Sequence, residues 1–517
     1  MKKVIYALIL LAVTFTSCKK SKTDSGEVPV SPPGVTNSSA IDLLKDSVYA
    51  YAREEYLWYD ALPEASVFNP RKFTGSSDRA ALQAEIDAFS QLKLNPSNAN
   101  RPYEFDATYP GTAKYSYIDE GQAATSIGGT GGDFGFALTY ITPTDLRIRY
   151  VYGGSPAAIA GIARGYKVTA INGSTAINYD PNIATANDVN YQNVIKALSA
   201  STITLTLLKS NNTSITVTVA TGSYTINPVA KFSVITTASG KKVGYFAFSR
   251  FTVLKDASGK DIAQGKIDEA FNYFMANNIT ELVVDLRYNG GGAVETSEYI
   301  ANYIAPASKN GTLMFTERFN AKLQAGNYPL LAKKYRIDNG YFSLANNTYN
   351  FAKKGTLNLN RAFFIVTGNT ASASELLINN VMPALPGGVQ LIGRTSYGKP
   401  VGFFAIPVGK YDLYISEFES QNSQGKADFY QGMVPGGNFP GKDAADDVTK
   451  DFGDPTENLF AQAINFIEKN NYVTASLKTQ SLESTVDKIK LREVNQHLNP
   501  EFKGAVHTHD LKRMIKQ

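Results

Sequence analysis

At 517 residues the chain is too long for one ordinary hydrophobic core, so its length predicts about three domains. Hydrophobic residues make up 43% and charged residues 19% of the chain, which excludes a disordered or fibrous protein. The net charge of +5 comes from basic residues dispersed among nearly as many acids, which argues against a nucleic-acid partner; only residues 474–517 are locally basic, and we treat them as a tail.

Residues 1–18 have the pattern of a secretory signal: two lysines, an apolar run from Val4 to Thr16 that is too short for a permanent membrane span, and small residues before Cys18. The pattern resembles a bacterial lipoprotein signal, which implies lipidation of Cys18 and a lipid-anchored location in the cell envelope. An incidental cysteine in a cleaved peptide is the alternative. Because Cys18 is the only cysteine, disulfides, thiol catalysis and cysteine-based metal sites are excluded elsewhere. Residues 19–38, rich in Lys, Ser, Gly and Pro, predict a flexible tether.

Residues 39–114 predict a small helical N-terminal domain. Leu44, Val48 and Tyr51 recur at helical spacing, and a second helical stretch runs near Arg79 to Leu92. Trp58 is interpreted as a core anchor.

Residues 115–228 predict a compact, partly open barrel of short strands with two helices. The strand-like segments are FGFALTYI, LRIRYVY, KVTAING, TITLTLLK and SITVTVAT. Their order, with the motif from Gly153 to Gly173, resembles a circularly permuted PDZ domain of bacterial proteases. The resemblance implies that Phe134, Gly135 and Phe136 form a loop that binds a peptide carboxylate. A flexible turn is the alternative for GGTGGDFG, and a nucleotide P-loop is excluded because no Gly-Lys-Ser/Thr follows.

Residues 229–473 alternate between strand and helix patterns, which predicts an α/β layer with substantial parallel pairing. The predicted strands are VGYFAFSRF, ELVVDLRY, RAFFIVTG and VQLIGRT, and the predicted helices are DEAFNYFMANN, ETSEYIANYIA and SELLINNVM.

Two loops at the carboxyl ends of these strands carry unusual chemistry. Residues 285–292, DLRYNGGG, end in three glycines that can expose backbone N–H groups, as an oxyanion hole requires, although a plain tight turn has the same pattern. Residues 368–375, GNTASASE, place Ser372 before a helix. Ser372 and Glu375 also fit a capping box, and the two interpretations are compatible.

A serine nucleophile needs a base, and the pattern around the glycine loops favours lysine over histidine. The three histidines, His497, His507 and His509, all lie in the basic tail, which disfavours a Ser-His-Asp triad. Lys399 follows a predicted buried strand, and a desolvated lysine can act as a base.

The motifs DLRYNGGG, NTASASE and TSYGKP, in this order behind the PDZ-like segment, resemble the S41 family of C-terminal processing serine peptidases over residues 115 to 470. The resemblance implies a ClpP/crotonase-like α/β catalytic domain. It implies the following roles: Ser372 as nucleophile, Lys399 as general base, Ala373, Gly291 and Gly292 as oxyanion donors, and Glu375, Ser396 and Gly290 as supporting residues. Ser374 is the weaker candidate nucleophile because this alignment places it deeper in the helix.

The chain departs from the family pattern beside the lysine: Tyr397 replaces a Phe, Pro400 a Gly and Phe403 a common Gln. We expect no cofactor and no metal. The acids from Asp443 to Asp447 allow a calcium site, but a charged loop is favoured.

The sequence therefore predicts a serine endopeptidase of the cell envelope that acts on polypeptides with unfolded or exposed C-termini. A catalytically weak peptide- or ligand-binding lipoprotein on the same scaffold is the alternative, because a fold does not fix a function. A saccharide-binding lipoprotein fits the anchor but leaves the Ser and Lys loops unexplained.

Overall fold

In the computed structural model, residues 38–473, 494–495, 504–506 and 515–516 are described. The segment predicted as helical contains two longer helices, Ala40–Glu55 and Asp78–Ser90. Ser39 and Ser77 precede them, and each hydroxyl accepts a hydrogen bond from a backbone N–H of the first turn, which satisfies a donor that the helix itself cannot. Shorter turns follow at Tyr59–Ala61, Ala65–Phe68, Pro70–Lys72 and Pro96–Asn98. Cys18 and the three histidines lie outside the described residues.

The N-terminal helices bury their apolar faces against a three-stranded antiparallel sheet. Its strands are Tyr117–Asp119, Tyr411–Tyr414 and Ile406–Val408, and one hydrophobic cluster contains residues of both the helices and the sheet. Trp58 is buried in this cluster and stacks on Tyr103 with ring centroids 4.7 Å apart. The helices therefore support the chain that follows the lysine loop.

A five-stranded antiparallel sheet occupies the segment with the PDZ-like pattern. In spatial order its strands are Phe136–Thr142, Asp145–Val151, Lys167–Ile171, Thr202–Leu208 and Ser214–Ala220. Helices Pro156–Ile159 and Val189–Leu198 accompany it. Strand Thr202–Leu208 alternates buried residues with less buried ones, as expected for a strand with one face toward a core.

A six-stranded sheet forms the α/β layer, and its parallel pairing confirms the prediction. The strand order is Val229–Thr236, Lys242–Phe248, Glu281–Asp285, Ala362–Val366, Val389–Gly393 and Gly441–Asp443, and every pair after the first is parallel. Helices Gln264–Ala276, Val294–Ile304 and Ala373–Val381 cover one face, and helix Asn458–Lys469 covers the other. The central strands are buried on both faces, which explains their unbroken apolar sequences.

A four-stranded antiparallel sheet, not predicted from the sequence, adjoins this layer. Its strands are Thr348–Asn350, Leu313–Phe319, Phe418–Asn422 and Val401–Gly402. The other described elements are Leu94–Asn95 with Arg101–Pro102, Thr130–Gly131 with Tyr224–Thr225, and the helical segments Gln122–Ile127, Thr185–Asn187, Ala307–Lys309, Ala321–Gln324, Pro329–Lys334 and Ala345–Asn347.

Two short strands come from the basic tail. Gly504–Val506 pairs in parallel with Gly291–Ala293, and Ile515–Lys516 pairs antiparallel with Tyr335–Arg336. No helix in the described part of the chain is both long enough and apolar enough to cross a membrane.

Candidate active site

Ser372 lies in the turn between strand Ala362–Val366 and helix Ala373–Val381. Its backbone has φ 60° and ψ −114°, a conformation that costs free energy for a residue with a side chain and is concentrated at functional sites. The residue is 2% exposed; with Glu375 it forms a capping box at the start of the helix, and its Oγ–H donates to no acceptor. The turn therefore holds a hydroxyl with a free proton in a strained position before a helix N-terminus.

The glycine loop lies directly against this serine turn. Gly291 has φ 100°, and a Cβ at this position would lie 2.8 Å from the Ala371 carbonyl oxygen and 2.9 Å from the Ser372 Cβ. Only glycine fits so close an approach. Asn289 joins the two loops, because its C=O accepts the Ala371 N–H at 3.1 Å and the Ser374 hydroxyl at 2.9 Å.

Lys399 is fully buried, at 1% exposure. Its Nζ lies 3.8 Å from the ring centroid of Phe403 and 5.8 Å from that of Tyr115. Removal from water disfavours the charged ammonium and lowers the pKa of Lys399 to about 7, although the charges of Glu104 and Glu375 oppose this shift. The lysine is thus able to exist as a neutral amine near neutral pH.

Glu375 joins the serine turn to the lysine loop. One carboxylate oxygen accepts the Ser372 N–H at 2.9 Å and the Lys399 N–H at 2.8 Å, and the other accepts the Gly398 N–H at 2.7 Å and the Ser396 hydroxyl. Burial raises the pKa of Glu375, and these four hydrogen bonds act in the opposite direction. The carboxylate thereby fixes the two candidate catalytic residues relative to each other.

A buried ion-pair cluster anchors the start of the glycine loop. Arg287, 1% exposed, donates hydrogen bonds to Asp285, Asp446 and Glu457. Asp446 also pairs with Arg164 at 2.9 Å, and the two arginines hold the pKa of Asp446 well below its usual range against the effect of burial. The acids from 443 to 447, considered above for calcium, include this ion-pairing aspartate.

The predicted carboxylate loop lies at the start of the five-stranded sheet. The Gly135 N–H donates to the Asp133 carboxylate at 2.8 Å, and the Tyr224 hydroxyl donates to the same oxygen. An internal carboxylate therefore already occupies one of the three N–H groups predicted to bind a peptide terminus. A second carboxylate at this point would be repelled by the first.

Five of the predicted site residues thus converge: Ser372, Lys399, Glu375, Ser396 and Gly291. Gly290 is buried in the turn before strand Gly291–Ala293, and Ala373 begins the helix after the serine. The Gly291 N–H, one of the two glycine donors predicted for the oxyanion, donates to the Asn289 Oδ1 at 2.9 Å in this structure. The Ser374 hydroxyl, the weaker candidate nucleophile in the sequence prediction, donates to the Asn289 C=O, as described above.

Sequence reasoning missed Glu104, Tyr115 and Arg287. The Tyr115 hydroxyl donates to the Gly398 C=O, and the Glu104 carboxylate accepts the Tyr115 N–H at 2.9 Å. Of these three, only Arg287 could have been recognised from the sequence, because Asp-Leu-Arg at the end of a predicted buried strand indicates a buried ion pair. Within the described ranges, no group of three or more His, Cys, Asp or Glu side chains is arranged to hold a metal ion.

Residues 242–426 match the family model of peptidase family S41. Among solved structures, a protein of Bacteroides fragilis NCTC 9343 assigned to the S41 proteases is similar with a TM-score of 0.57 and 22% identity, covering 85% of this chain and 100% of its own. The photosystem II D1 C-terminal processing protease has a TM-score of 0.41 and 15% identity, covering 77% of this chain and 92% of its own. The first comparison shows a shared fold. No curated protein matches the sequence at a significant level.

Proposed function

Because residues 242–426 belong to peptidase family S41, we propose that this chain is a serine endopeptidase in which Ser372 is the nucleophile and Lys399 the general base. The observation that carries the proposal is the buried arrangement around Glu375: a strained serine whose Oγ–H donates to no acceptor and a lysine with a lowered pKa are held by one carboxylate.

The proposed reaction starts with proton transfer from the Ser372 hydroxyl to the neutral Lys399 amine while Oγ attacks a peptide carbonyl carbon. The ammonium then gives the proton to the leaving amine as the peptide C–N bond breaks and an acyl-enzyme forms. A water molecule, deprotonated by the same lysine, attacks the acyl carbon. The bond to Ser372 Oγ breaks, the ammonium returns the proton to Oγ, and the second product leaves as a carboxylic acid. Each step needs the lysine to change protonation state, which a pKa near neutrality permits.

The developing oxyanion requires backbone donors close to Ser372. The Ala373 N–H, in the first turn of the helix, is supported by the positive end of the helix dipole. The Gly292 N–H is the second donor in this proposal, since the Gly291 N–H is engaged by Asn289.

A catalytically weak, peptide-binding protein on the same scaffold is the second candidate. It is favoured by Phe403, whose ring lies against Lys399 Nζ, with the ring centroid 3.8 Å from this nitrogen. Turnover separates the two candidates, because a binding protein retains peptides without cleaving them.

The test is degradation of an unstructured protein by the chain without residues 1–37. We expect the parent to degrade it and Ser372→Ala to leave it intact. Ser374→Ala is the matched control: it loses the hydrogen bond to Asn289 but keeps the proposed nucleophile, so it should retain cleavage. An intact substrate with the parent, or equal degradation by Ser372→Ala, would reject the serine mechanism.

The PDZ-like unit is proposed to recruit polypeptides through the edge strand Phe136–Thr142 rather than through a terminal carboxylate alone. The Asp133 carboxylate on Gly135 supports this change from the sequence prediction. The polypeptide substrates themselves follow from the peptidase family.

We further propose a lipid anchor at Cys18, supported by the signal pattern of residues 1–18. Cys18→Ala should move the protein from the membrane fraction of expressing cells to the soluble fraction, because the acyl chains are lost. Cys18→Ser, which also lacks the thiol, should behave in the same way. A variant that stays as firmly membrane-bound as the parent contradicts the anchor.

A further inference from the structure

Two residues of the basic tail pack against the five-stranded sheet and its helix. Val494 is completely buried in its hydrophobic core, and the Tyr191 hydroxyl of helix Val189–Leu198 donates to the Val494 C=O at 2.9 Å. The Asn495 side chain accepts the Tyr140 N–H at 2.7 Å and donates to the Tyr140 C=O at 2.9 Å. Tyr140 belongs to the edge strand Phe136–Thr142, so the amide of Asn495 satisfies backbone groups that an added peptide strand would use.

A second tail segment lies on the glycine loop. Strand Gly504–Val506 pairs in parallel with Gly291–Ala293, with Ala505 opposite Gly292. It also lies beside strand Val401–Gly402, which follows the lysine loop. Residues 504–506 therefore contact one chain segment beside the proposed nucleophile and another that follows the proposed base.

The hydrogen bonds of strand Gly291–Ala293 show which of its backbone groups face residues 504–506. On the edge of this strand that is turned away from the tail, the Gly291 C=O accepts the Phe251 N–H at 3.0 Å, and the Ala293 N–H donates to the Phe251 C=O at 2.7 Å. Successive residues of a strand direct their backbone groups to opposite edges. The N–H and C=O of Gly292 consequently face residues 504–506, and this N–H is the one proposed above for the oxyanion.

We propose that residues 494–495 and 504–506 are an intramolecular occupant of the substrate-binding surfaces, and that a substrate polypeptide replaces them by adding a parallel strand to Gly291–Ala293. This inference rests on the proposed peptidase function, since it assigns where the substrate binds at the same site and which segment limits that binding. The occupied groups are those that a peptide near Ser372 needs, so tail and substrate exclude each other.

The tail limits substrate binding because it is part of the same chain as the site it covers. A segment joined covalently to its site is present at an effective concentration in the millimolar range, which a free substrate must exceed or displace. The apparent affinity for substrate is reduced by the fraction of molecules in which the site is open. Weakening the tail contacts should therefore lower KM and leave kcat nearly unchanged.

The experiment uses two full-chain variants that detach the tail at different points. Val494→Asp/Asn495→Ala removes the buried apolar group and both bonds to Tyr140. Val506→Pro removes a tail N–H that, by the same alternation, faces the Gly292 C=O. The matched control, Val473→Asp/Asn471→Ala, makes the same chemical changes at two exposed residues just before the tail.

Two readouts are measured: KM for an unstructured peptide, and hydrogen exchange of the Gly292 amide, the one that faces the tail strand, in a Ser372→Ala background. Both tail variants should lower KM by about tenfold and speed exchange by about tenfold, while the control matches the parent. Unchanged exchange in both variants overturns the proposal, as does faster exchange with unchanged KM in a cleaving enzyme. If no version cleaves peptide, the proposed function fails, and exchange alone still decides whether the tail covers the glycine loop.

Discussion

Lys399→Met should fold and lose about 10²- to 10⁴-fold in kcat, the usual effect of removing a general base. Methionine keeps the length and apolar character of the buried side chain but cannot accept a proton. It also removes the desolvation cost of an ionisable group against Phe403 and Tyr115. Single-turnover kinetics with a peptide substrate, beside thermal unfolding of the same preparation, measure both parts of the prediction.

The pH profile gives a second test of the same residue. Only neutral Lys399 can take the serine proton, so activity should rise as pH increases through about 7 and then reach a plateau. Because the folded pKa lies below the ordinary value of 10.5, the unfolded chain binds more protons between these limits, and the lysine's contribution to stability also increases with pH there. A fall in kcat/KM over pH 6–8 contradicts the assignment.

Two variants control for effects other than base loss. Lys399→Arg should also be inactive, since the guanidinium stays protonated. Lys353→Met changes another lysine with a pKa lowered by burial, to about 8, whose ammonium donates to the Tyr303 C=O, and it should keep its turnover. A properly folded Lys399→Met with parental activity would rule out the dyad.

Arg287→Met should lower the free energy of unfolding by about 3–5 kcal/mol, the range for breaking a buried ion pair by removing one partner. The substitution leaves Asp285 and Glu457, both nearly inaccessible to solvent, without the cation that neutralises them. It should also reduce turnover, because Arg287 anchors the loop that carries Gly291 and Gly292. The urea midpoint measured by circular dichroism tests the stability effect.

The comparison for this variant is Arg361→Met. Arg361 pairs with Glu281 on the same sheet, but both side chains are partly exposed, at 18% and 12%, so water compensates more of the loss. Arg287→Met combined with Asp285→Asn and Glu457→Gln should recover part of the stability, since the uncompensated charges are removed. Equal destabilisation by both single variants, with no recovery in the combination, contradicts the explanation.

Local patterns predicted the α/β layer well because its signals lie within short segments. Strand Ala362–Val366 and helix Ala373–Val381 follow from an apolar run and a helical repeat separated by small polar residues. The four-stranded sheet was missed because strands such as Val401–Gly402 and Thr348–Asn350 are too short to show periodicity, and their pairing depends on distant partners.

The sequence also indicated which residues could carry the chemistry, but not their environment. It contained Ser372 before a helix and a lysine in a glycine-containing loop, and it lacked histidine outside the tail. It could not show that Glu375 bonds both loops, because Gly398 and Lys399 reach this carboxylate only after the strands between them are paired.

The amino-acid sequence by itself determined the parallel α/β layer, the order of the loops and the residue types at the candidate site, since these depend on composition and local periodicity. Only the tertiary structure decided which backbone donors are open, how far burial lowers the pKa of Lys399, and where tail residues 494–495 and 504–506 lie. The physical reason is that desolvation and hydrogen-bond competition depend on groups far apart in the chain, which no local pattern contains.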